Sequence, residues 1–489
     1  MLDVLIVGAG ISGISAACHL EQRCPTKSYA LLEGRENLGG TWDLFRYPGI
    51  RSDSDMHTFG FGFKPWTNPK AISDGESIRE YLQEAVAEFN VRDKIRYGHK
   101  VMAANWDSEH KLWRVTATQA DGESVVIETR VLFMCSGYYD YAKGYTPDYP
   151  GLESFSGQLI HPQQWPEDLD YKGKKVAVIG SGATAVTIVP NMVDDAAELT
   201  MIQRSPSYVF SRPAEDAIAN FLNRVLPEKW AFSLTRWKNI YMQNTTFKTA
   251  RKKPEKVKKV LLNAVRKSLG DDYDVDKHFT PRYNPWEERL CLIPDDDFLT
   301  AVREKKAEVV TDTISSFEAD GVRLASGRLI EADIVVSATG LNMQFMGGVE
   351  FSLDDVALDF SKRFYYQGMM FSGVPNLIQT FGYINASWTL RADLNSAFVC
   401  DLLNELDRRG AVTCTPQLRE GEKNMQPQAA IDDFNPGYMQ RGLHLFPKQG
   451  EHAPWRNTQD YLLDRKLLTP KLFEDTALEF EFADDAVAA

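Results

Sequence analysis

The stretch V-L-I-V-G-A-G-I-S-G, residues 4–13 of a 489-residue chain, decides the fold. Its first four residues form a short apolar, β-branched run, the composition of a strand buried on both faces. Glycines then stand at 8, 10 and 13. At that spacing Gly8 permits the tight turn, Gly10 lets the backbone approach a pyrophosphate, and Gly13 allows the following helix to lie close on the strand. Ile14, Ala17 and Cys18 continue at helical spacing, and a second apolar run, Y-A-L-L at 29–32, ends in Glu33. The helix start offers unpaired N–H groups and a partial positive charge to phosphates. A carboxylate at position 33 can accept both ribose hydroxyls and repels a 2′-phosphate. Strand, glycine turn, helix and acid in this order predict a site for an unphosphorylated adenine dinucleotide, FAD or NAD.

The pattern occurs twice. V-A-V-I at 176–179 leads into G-S-G-A-T-A at 180–185, with Gly180, Gly182 and Thr184 in the positions that face a nucleotide. The next strand, L-T-M-I at 199–202, runs into Arg204 and Ser205 instead of an acid. A guanidinium there suits a 2′-phosphate, which it can grip through parallel charge-assisted bonds. One acidic and one basic ribose site together read as FAD plus NADPH in a flavoprotein oxidoreductase. The fold class is α/β, with two Rossmann-like domains, the second inserted in the first, plus a helical insertion. The expected boundaries are 1–145 and 341–489 for the FAD domain, 150–212 and 288–340 for the NADPH domain, and 213–287 for the insertion.

Composition narrows the class. Apolar residues make up 43% and charged residues 25%, which excludes disordered and collagenous chains. The formal charge of -13 argues against a nucleic-acid partner. Six scattered cysteines form no C-x-x-C pair, so neither a disulfide framework nor a cysteine metal site is expected, and a dithiol reductase is disfavoured. The chain enters a strand pattern directly after Met1-Leu2-Asp3 and has no apolar run of about 18 residues, so a soluble cytoplasmic protein is expected.

Between the glycine motifs lies F-S-G-Q-L-I-H-P-Q-Q-W-P, residues 155–166. Phe155, Gly157, His161, Trp165 and Pro166 match every defined position of the fingerprint of type I Baeyer–Villiger monooxygenases. Two further signatures agree: Gly39, Gly40, Trp42, Tyr47, Pro48, Gly49 and Asp53, and then Asp333 with Ala338-Thr339-Gly340. Residues 46–66, Y-N-P-W at 283–286 and N-A-S-W at 385–388 resemble the ethionamide-activating branch of these class B flavoprotein monooxygenases over almost the whole chain.

The resemblance implies a reaction: reduced FAD and O2 form a C4a-peroxide that converts ketones to esters or lactones, with oxidation of sulfide or thioamide sulfur as a further activity. Such chemistry needs a fixed cation in a site that excludes water. The family's catalytic arginine maps onto Arg289 and its aspartate partner onto Asp53. Gly40, Trp42 and Gly340 fall on the cofactor side, while His161 and Trp165 read as packing and hinge residues. Better-known members carry a lysine before the arginine, on the NADP 2′-phosphate; here Glu288 stands in its place.

Towards the C-terminus, a strand-like run at 376–381 leads to Asn385 and Ser387, both good caps, and a helical pattern running to Gly410. The resemblance implies that the last helix aims its N-terminus at the flavin, a capped core helix being the other reading. Residues 248–267 hold nine Lys/Arg against one acid, Glu255, a solvated face or a peripheral contact with anionic lipid. Residues 475–489 are acidic and expected to fray. Two other readings stay open: a flavin-containing monooxygenase acting only on sulfur or nitrogen, and a non-catalytic flavin redox sensor.

Overall fold

Strand Leu2–Val7 (β1) lies at the centre of a nine-stranded sheet, and Val4, Leu5 and Ile6 are fully buried, as a strand covered on both faces requires. The structure, a computed structural model, describes residues 1–288, 290–432 and 436–483. Tyr29–Leu32 (β2) pairs parallel with β1, Val4 opposite Tyr29. Lys100–Asp107 (β3), Leu112–Thr118 (β4) and Ser124–Met134 (β5) form an antiparallel meander. The last of these is long enough to serve two neighbourhoods. Its first half pairs with β4, and its second half runs parallel to β1, with Leu5 opposite Leu132. Leu377–Gln379 and Glu350–Leu353, far along the chain, return to the same sheet.

The second sheet is wholly parallel. Gln158–Ile160 (β6), Lys175–Ile179 (β7), Glu198–Gln203 (β8), Glu308–Thr311 (β9) and Ile334–Ser337 (β10) lie in the order β9-β8-β7-β10-β6. Helices Ile11–Arg23 (α1) and Ala183–Met192 (α2) follow β1 and β7, so each glycine motif is a strand-turn-helix unit. The chain is thus an α/β protein with two Rossmann-like units, the second inserted within the first.

Tyr208–Arg212 pairs parallel with Leu290–Pro294 and closes the base of a helical excursion. That excursion contains Ala217–Val225 (α3), Glu228–Lys252 (α4) and Pro254–Leu269 (α5). Pro254 divides the basic run between two helices: α4 ends at Lys252, and Pro254 is the first residue of α5, where its missing N–H is harmless. Trp388–Arg409 (α6) packs on α1 and ends at Gly410, whose φ of 70° suits a glycine cap.

Two expectations about the C-terminal part need correction. Helix α6 is not the last helix, since Gly437–Gly442 and Tyr461–Leu467 follow it. Nor does the whole acidic end fray. Leu478–Phe482 pairs antiparallel with Ala411–Pro416, because Leu478 is buried and Phe480 packs on the core beneath the Arg409 guanidinium. The alternation of apolar and acidic residues at 478–482 is a strand signal that net acidity obscured; residues 484–489 lie outside the described residues.

Candidate active site

One cleft of about 1200 Å³ opens between the sheets, and its wall includes Gly8, Gly10, Glu33, Gly40, Trp42 and Asp53. The packing at Gly13 fixes this wall: a Cβ there would stand 1.9 Å from the Gly8 carbonyl oxygen, so only glycine lets α1 approach β1. Glu33 is buried, accepting hydrogen bonds from the Ala9 N–H at 2.8 Å and the Arg35 N–H at 3.0 Å. Burial pushes its carboxyl above the usual range, and those two N–H groups pull the other way. Each oxygen keeps a lone pair for a ligand hydroxyl. Trp42 packs edge-on against Phe59 with ring centres 5.7 Å apart. Gly10 caps α1 without a side-chain hydrogen bond, leaving its first-turn N–H groups for a ligand. A buried ribose-type acid, an uncapped helix start and a cleft of this volume fit an adenine dinucleotide.

The second motif is built alike. Gly180 has φ +142°, and a Cβ on it would lie 2.4 Å from the Ala338 carbonyl oxygen. Gly182 caps α2 with no side-chain bond, and a Cβ on it would meet nothing within 4 Å, leaving open space over the helix start. Thr184 sits half-buried in the first turn of α2. Arg204 and Ser205 are exposed just past β8. Glu288 is half-buried on the cleft wall; burial raises its carboxyl pKa, and the Arg204 charge opposes that rise. The Arg204 charge therefore reaches Glu288 on the cleft wall. Asp53 is exposed on the cleft wall, whereas Arg289 lies outside the described residues.

The 155–166 fingerprint forms a strap across the return crossing. His161 Nδ1 accepts from the Gln163 N–H at 3.1 Å, so Nε2 carries the proton and donates to the Gly340 carbonyl at 3.0 Å. Its ring lies flat against Gly144, where a Cβ would be 1.9 Å from Cε1. Phe155 meets Phe317 edge-on at 5.5 Å, and a Cβ at Gly157 would collide with the Asp333 carbonyl at 2.3 Å. Trp165 packs on the core of the second unit, and the Pro166 carbonyl closes a turn with Leu169. Asp333 accepts from the Lys175 N–H at 2.8 Å, and Thr339 donates to the Tyr145 carbonyl at 2.6 Å. These contacts tie the second sheet to the 140–145 and 340–342 crossings.

Burial pushes the pKa of three histidines, His57, His161 and His278, below the ordinary value of 6.5. The unfolded chain therefore binds protons that the fold refuses, so their stabilising contribution is complete above pH 6.5 and is lost as pH falls. His57 is the most enclosed; Asp55 and Asp216 favour its charge, while Lys238 and Arg212 oppose it. The expected result is a melting temperature flat from about pH 8 to 7 that drops by a few degrees by about pH 5.5. H57Q should flatten part of that drop; an unchanged slope across the series of melting curves would contradict the assignment.

Asp55, two residues beyond the signature aspartate, also lines the cleft. It is buried and accepts from the Thr58 N–H at 3.1 Å, Asn239 Nδ2 at 2.8 Å and Gln243 Nε2 at 2.8 Å. Asn239 and Gln243 belong to α4, so this carboxylate pins the helical excursion to the first unit. Asp55 was not among the residues that the sequence singled out: the only local signal is the Asp-x-x-Thr spacing of a cap, and its other partners lie 184 and 188 positions away. Ser387 takes the backbone conformation of a cap on α6, but its hydroxyl shares a hydrogen bond with Thr58 Oγ1 at 2.7 Å instead of capping. The N-terminus of α6, from Asn385 to Trp388, consequently opens on the cleft.

Two nucleotide-type folds beside one cleft define the class, and comparison agrees: the chain belongs to the flavin-binding monooxygenase-like family, whose model matches residues 2–264. It is a flavin monooxygenase. It is 50% identical to the FAD-containing monooxygenase EthA of Mycobacterium tuberculosis (strain ATCC 25618 / H37Rv) over 98% of this chain and 97% of that protein. It is 47% identical to the probable FAD-binding monooxygenase AlmA of Acinetobacter baylyi (strain ATCC 33305 / BD413 / ADP1), over 99% of this chain and 97% of that one. Among solved structures, an oxidized steroid monooxygenase bound to NADP superposes with a TM-score of 0.79 at 21% identity, covering 99% of this chain and 100% of the other. An open cyclohexanone monooxygenase gives 0.76 at 19% identity, with 98% and 99% covered. The expected kinship with the ethionamide-activating branch holds along the whole chain.

Proposed function

We propose that the chain is an FAD-dependent, NADPH- and O2-consuming Baeyer–Villiger monooxygenase that converts ketones to esters or lactones and also oxidises sulfide and thioamide sulfur. The observation carrying this reading is convergence. Glu33 and Gly10 of the first motif, the signature residues Trp42 and Asp53, the start of α6 and Glu288 beside Arg204 all meet around one cleft.

When bound, FAD supplies hydride acceptance from NADPH and activation of oxygen. Glu33 holds the adenine-side ribose, and the uncapped start of α1 receives the pyrophosphate. The open N-terminus of α6 presents partial positive charge to the electron-rich reduced ring. Asp53 keeps the Arg289 cation oriented, and that cation stabilises negative charge developing on the carbonyl oxygen under attack. Gly180, Gly182 and Thr184 cradle the NADPH pyrophosphate, and Arg204 with Ser205 grips the 2′-phosphate. In this scheme residues 1–145 and 341–489 form the FAD domain, 150–212 and 288–340 the NADPH domain, and 213–287 the helical cover. Phe155, Gly157, His161, Trp165, Pro166 and Gly340 make the hinge between the two nucleotide units.

Aerobic turnover with NADPH, offering phenylacetone and thioanisole separately, tests the proposal by mass spectrometry of the products. Ester from the ketone is expected alongside sulfoxide; sulfoxide with no ester would move the enzyme to the heteroatom class.

Glu288 sets a second expectation. A carboxylate close enough to sense Arg204 competes with the 2′-phosphate for that guanidinium. E288Q should raise kcat/KM for NADPH by about fivefold, the equivalent of roughly 1 kcal/mol for a half-buried pair, with little change for NADH. Equal changes for both nucleotides would remove Glu288 from the 2′-phosphate site.

A further inference from the structure

Among the described residues, sixteen large hydrophobic side chains are exposed, and eight of them fall within residues 210–242. Single exposed hydrophobics are ordinary, but a concentration of half in so short a stretch is not. On α3 they are Ile218, Phe221 and Val225, spaced three and four apart on one face; on α4 they are Trp230, Leu234 and Tyr241, again on one face. Phe221 is 61% and Trp230 67% exposed. The opposite faces are already used, since Ala219, Ala231, Phe232, Thr235 and Ile240 are buried against the protein. The two helices pack on each other, and these apolar rows are left to solvent.

Charge identifies what covers it. The end of α4 and the adjoining α5 carry nine Lys/Arg against Glu255 within residues 248–267, in a chain whose net charge is -13. Lys252, Lys253, Lys256 and Lys259 are exposed there, with Val260 beside them at 61%. Two copies meeting through this face about a twofold axis would set cationic segment against cationic segment. An anionic bilayer offers both complements: negative headgroups for the lysines and acyl chains for the aromatic and aliphatic row. No helix among the described residues is long and apolar enough to cross a membrane, so the contact lies along the surface.

We propose that α3, α4 and α5 form a docking face for anionic lipid bilayers. Phe210 and Met242, both partly exposed, also line the cleft, so this face reaches the cleft mouth and gives apolar substrates a short route from the bilayer. The docking itself does not depend on the reaction proposed above.

The test is flotation of the full-length protein with vesicles of phosphatidylcholine alone or of equal parts phosphatidylcholine and phosphatidylglycerol. The wild type should bind the mixed vesicles about tenfold more than the neutral ones, and high salt should weaken that preference. F221D/W230D should lose about tenfold or more of the binding, and K252E/K256E/K259E should lose the anionic preference. Both variants alter only exposed side chains, so circular dichroism and turnover of a water-soluble sulfide should match the wild type. A protein that stays out of both vesicle fractions, or a double variant that floats like the wild type, would overturn the proposal. Vesicle-free self-association that F221D/W230D abolishes would also overturn it, assigning the face to a second copy.

Discussion

R289A should lower the rate of ester formation by roughly 10²–10³-fold while flavin content and the rate of flavin reduction by NADPH stay near wild type. The reason is electrostatic. Attack on a ketone concentrates negative charge on the carbonyl oxygen, and a cation already in place stabilises that charge without reorganising at the moment of reaction. Neutral alanine leaves the charge to water, which a productive site excludes. R289K should recover only part of the loss, because an ammonium is a compact point charge without the planar, two-pronged donor set of a guanidinium. D53A should fall in the same direction and be less than additive with R289A if the carboxylate acts through the cation as proposed. Stopped-flow reduction and product quantification separate the two half-reactions. Wild-type ester formation by R289A would remove Arg289 from the mechanism, and loss confined to flavin reduction would place it at the nicotinamide instead.

The second large effect is structural. G13A should yield protein that is largely flavin-free and destabilised by about 3 kcal/mol or more, at the top of the overpacking range. The added methyl would stand 1.9 Å from the backbone oxygen of Gly8 and 3.0 Å from its carbonyl carbon, and neither atom can rotate away. Relief requires α1 to lift from β1, which moves the Gly10 cap and the first-turn N–H groups proposed to receive the pyrophosphate together. G182A is the internal control. Its Cβ meets nothing within 4 Å, so the fold should be unaffected. The methyl would nevertheless project beside the α2 start, and KM for NADPH should rise while flavin content holds. Bound flavin measured by absorbance, melting temperature and NADPH KM report the three effects. A G13A protein with full flavin and wild-type melting would contradict the packing account.

The nucleotide-binding frame was legible because its chemistry is local. Strand, glycine turn and helix lie within about 20 residues in each copy, so Gly8 to Gly13 and Gly180 to Thr184 can be placed from sequence alone. The helix ending at Gly410 was legible for the same reason, through a glycine that takes φ 70°. What sequence left dark is held by long-range pairing. Asp55 meets Asn239 and Gln243 across 184 and 188 positions, and no periodicity announces such a contact. Ser387 misled in a related way: its position is that of a cap, but a tertiary partner, Thr58, claims the hydroxyl. The strand at Leu478–Phe482 was hidden beneath its acidic residues, because its partner Ala411–Pro416 lies some sixty residues earlier. The docking face shows the reverse difficulty, in that α4 carries apolar residues all round and α3 a single apolar face, and only the fold tells which side is covered.

The most direct measurement of the central claim is turnover of phenylacetone with NADPH under ¹⁸O2, followed by mass spectrometry of the ester. Incorporation of one labelled atom per ester, with one NADPH consumed for each, is the expected result. NADPH oxidation that ends in peroxide, with unlabelled ketone recovered from every ketone offered and sulfide alone oxygenated, would contradict it.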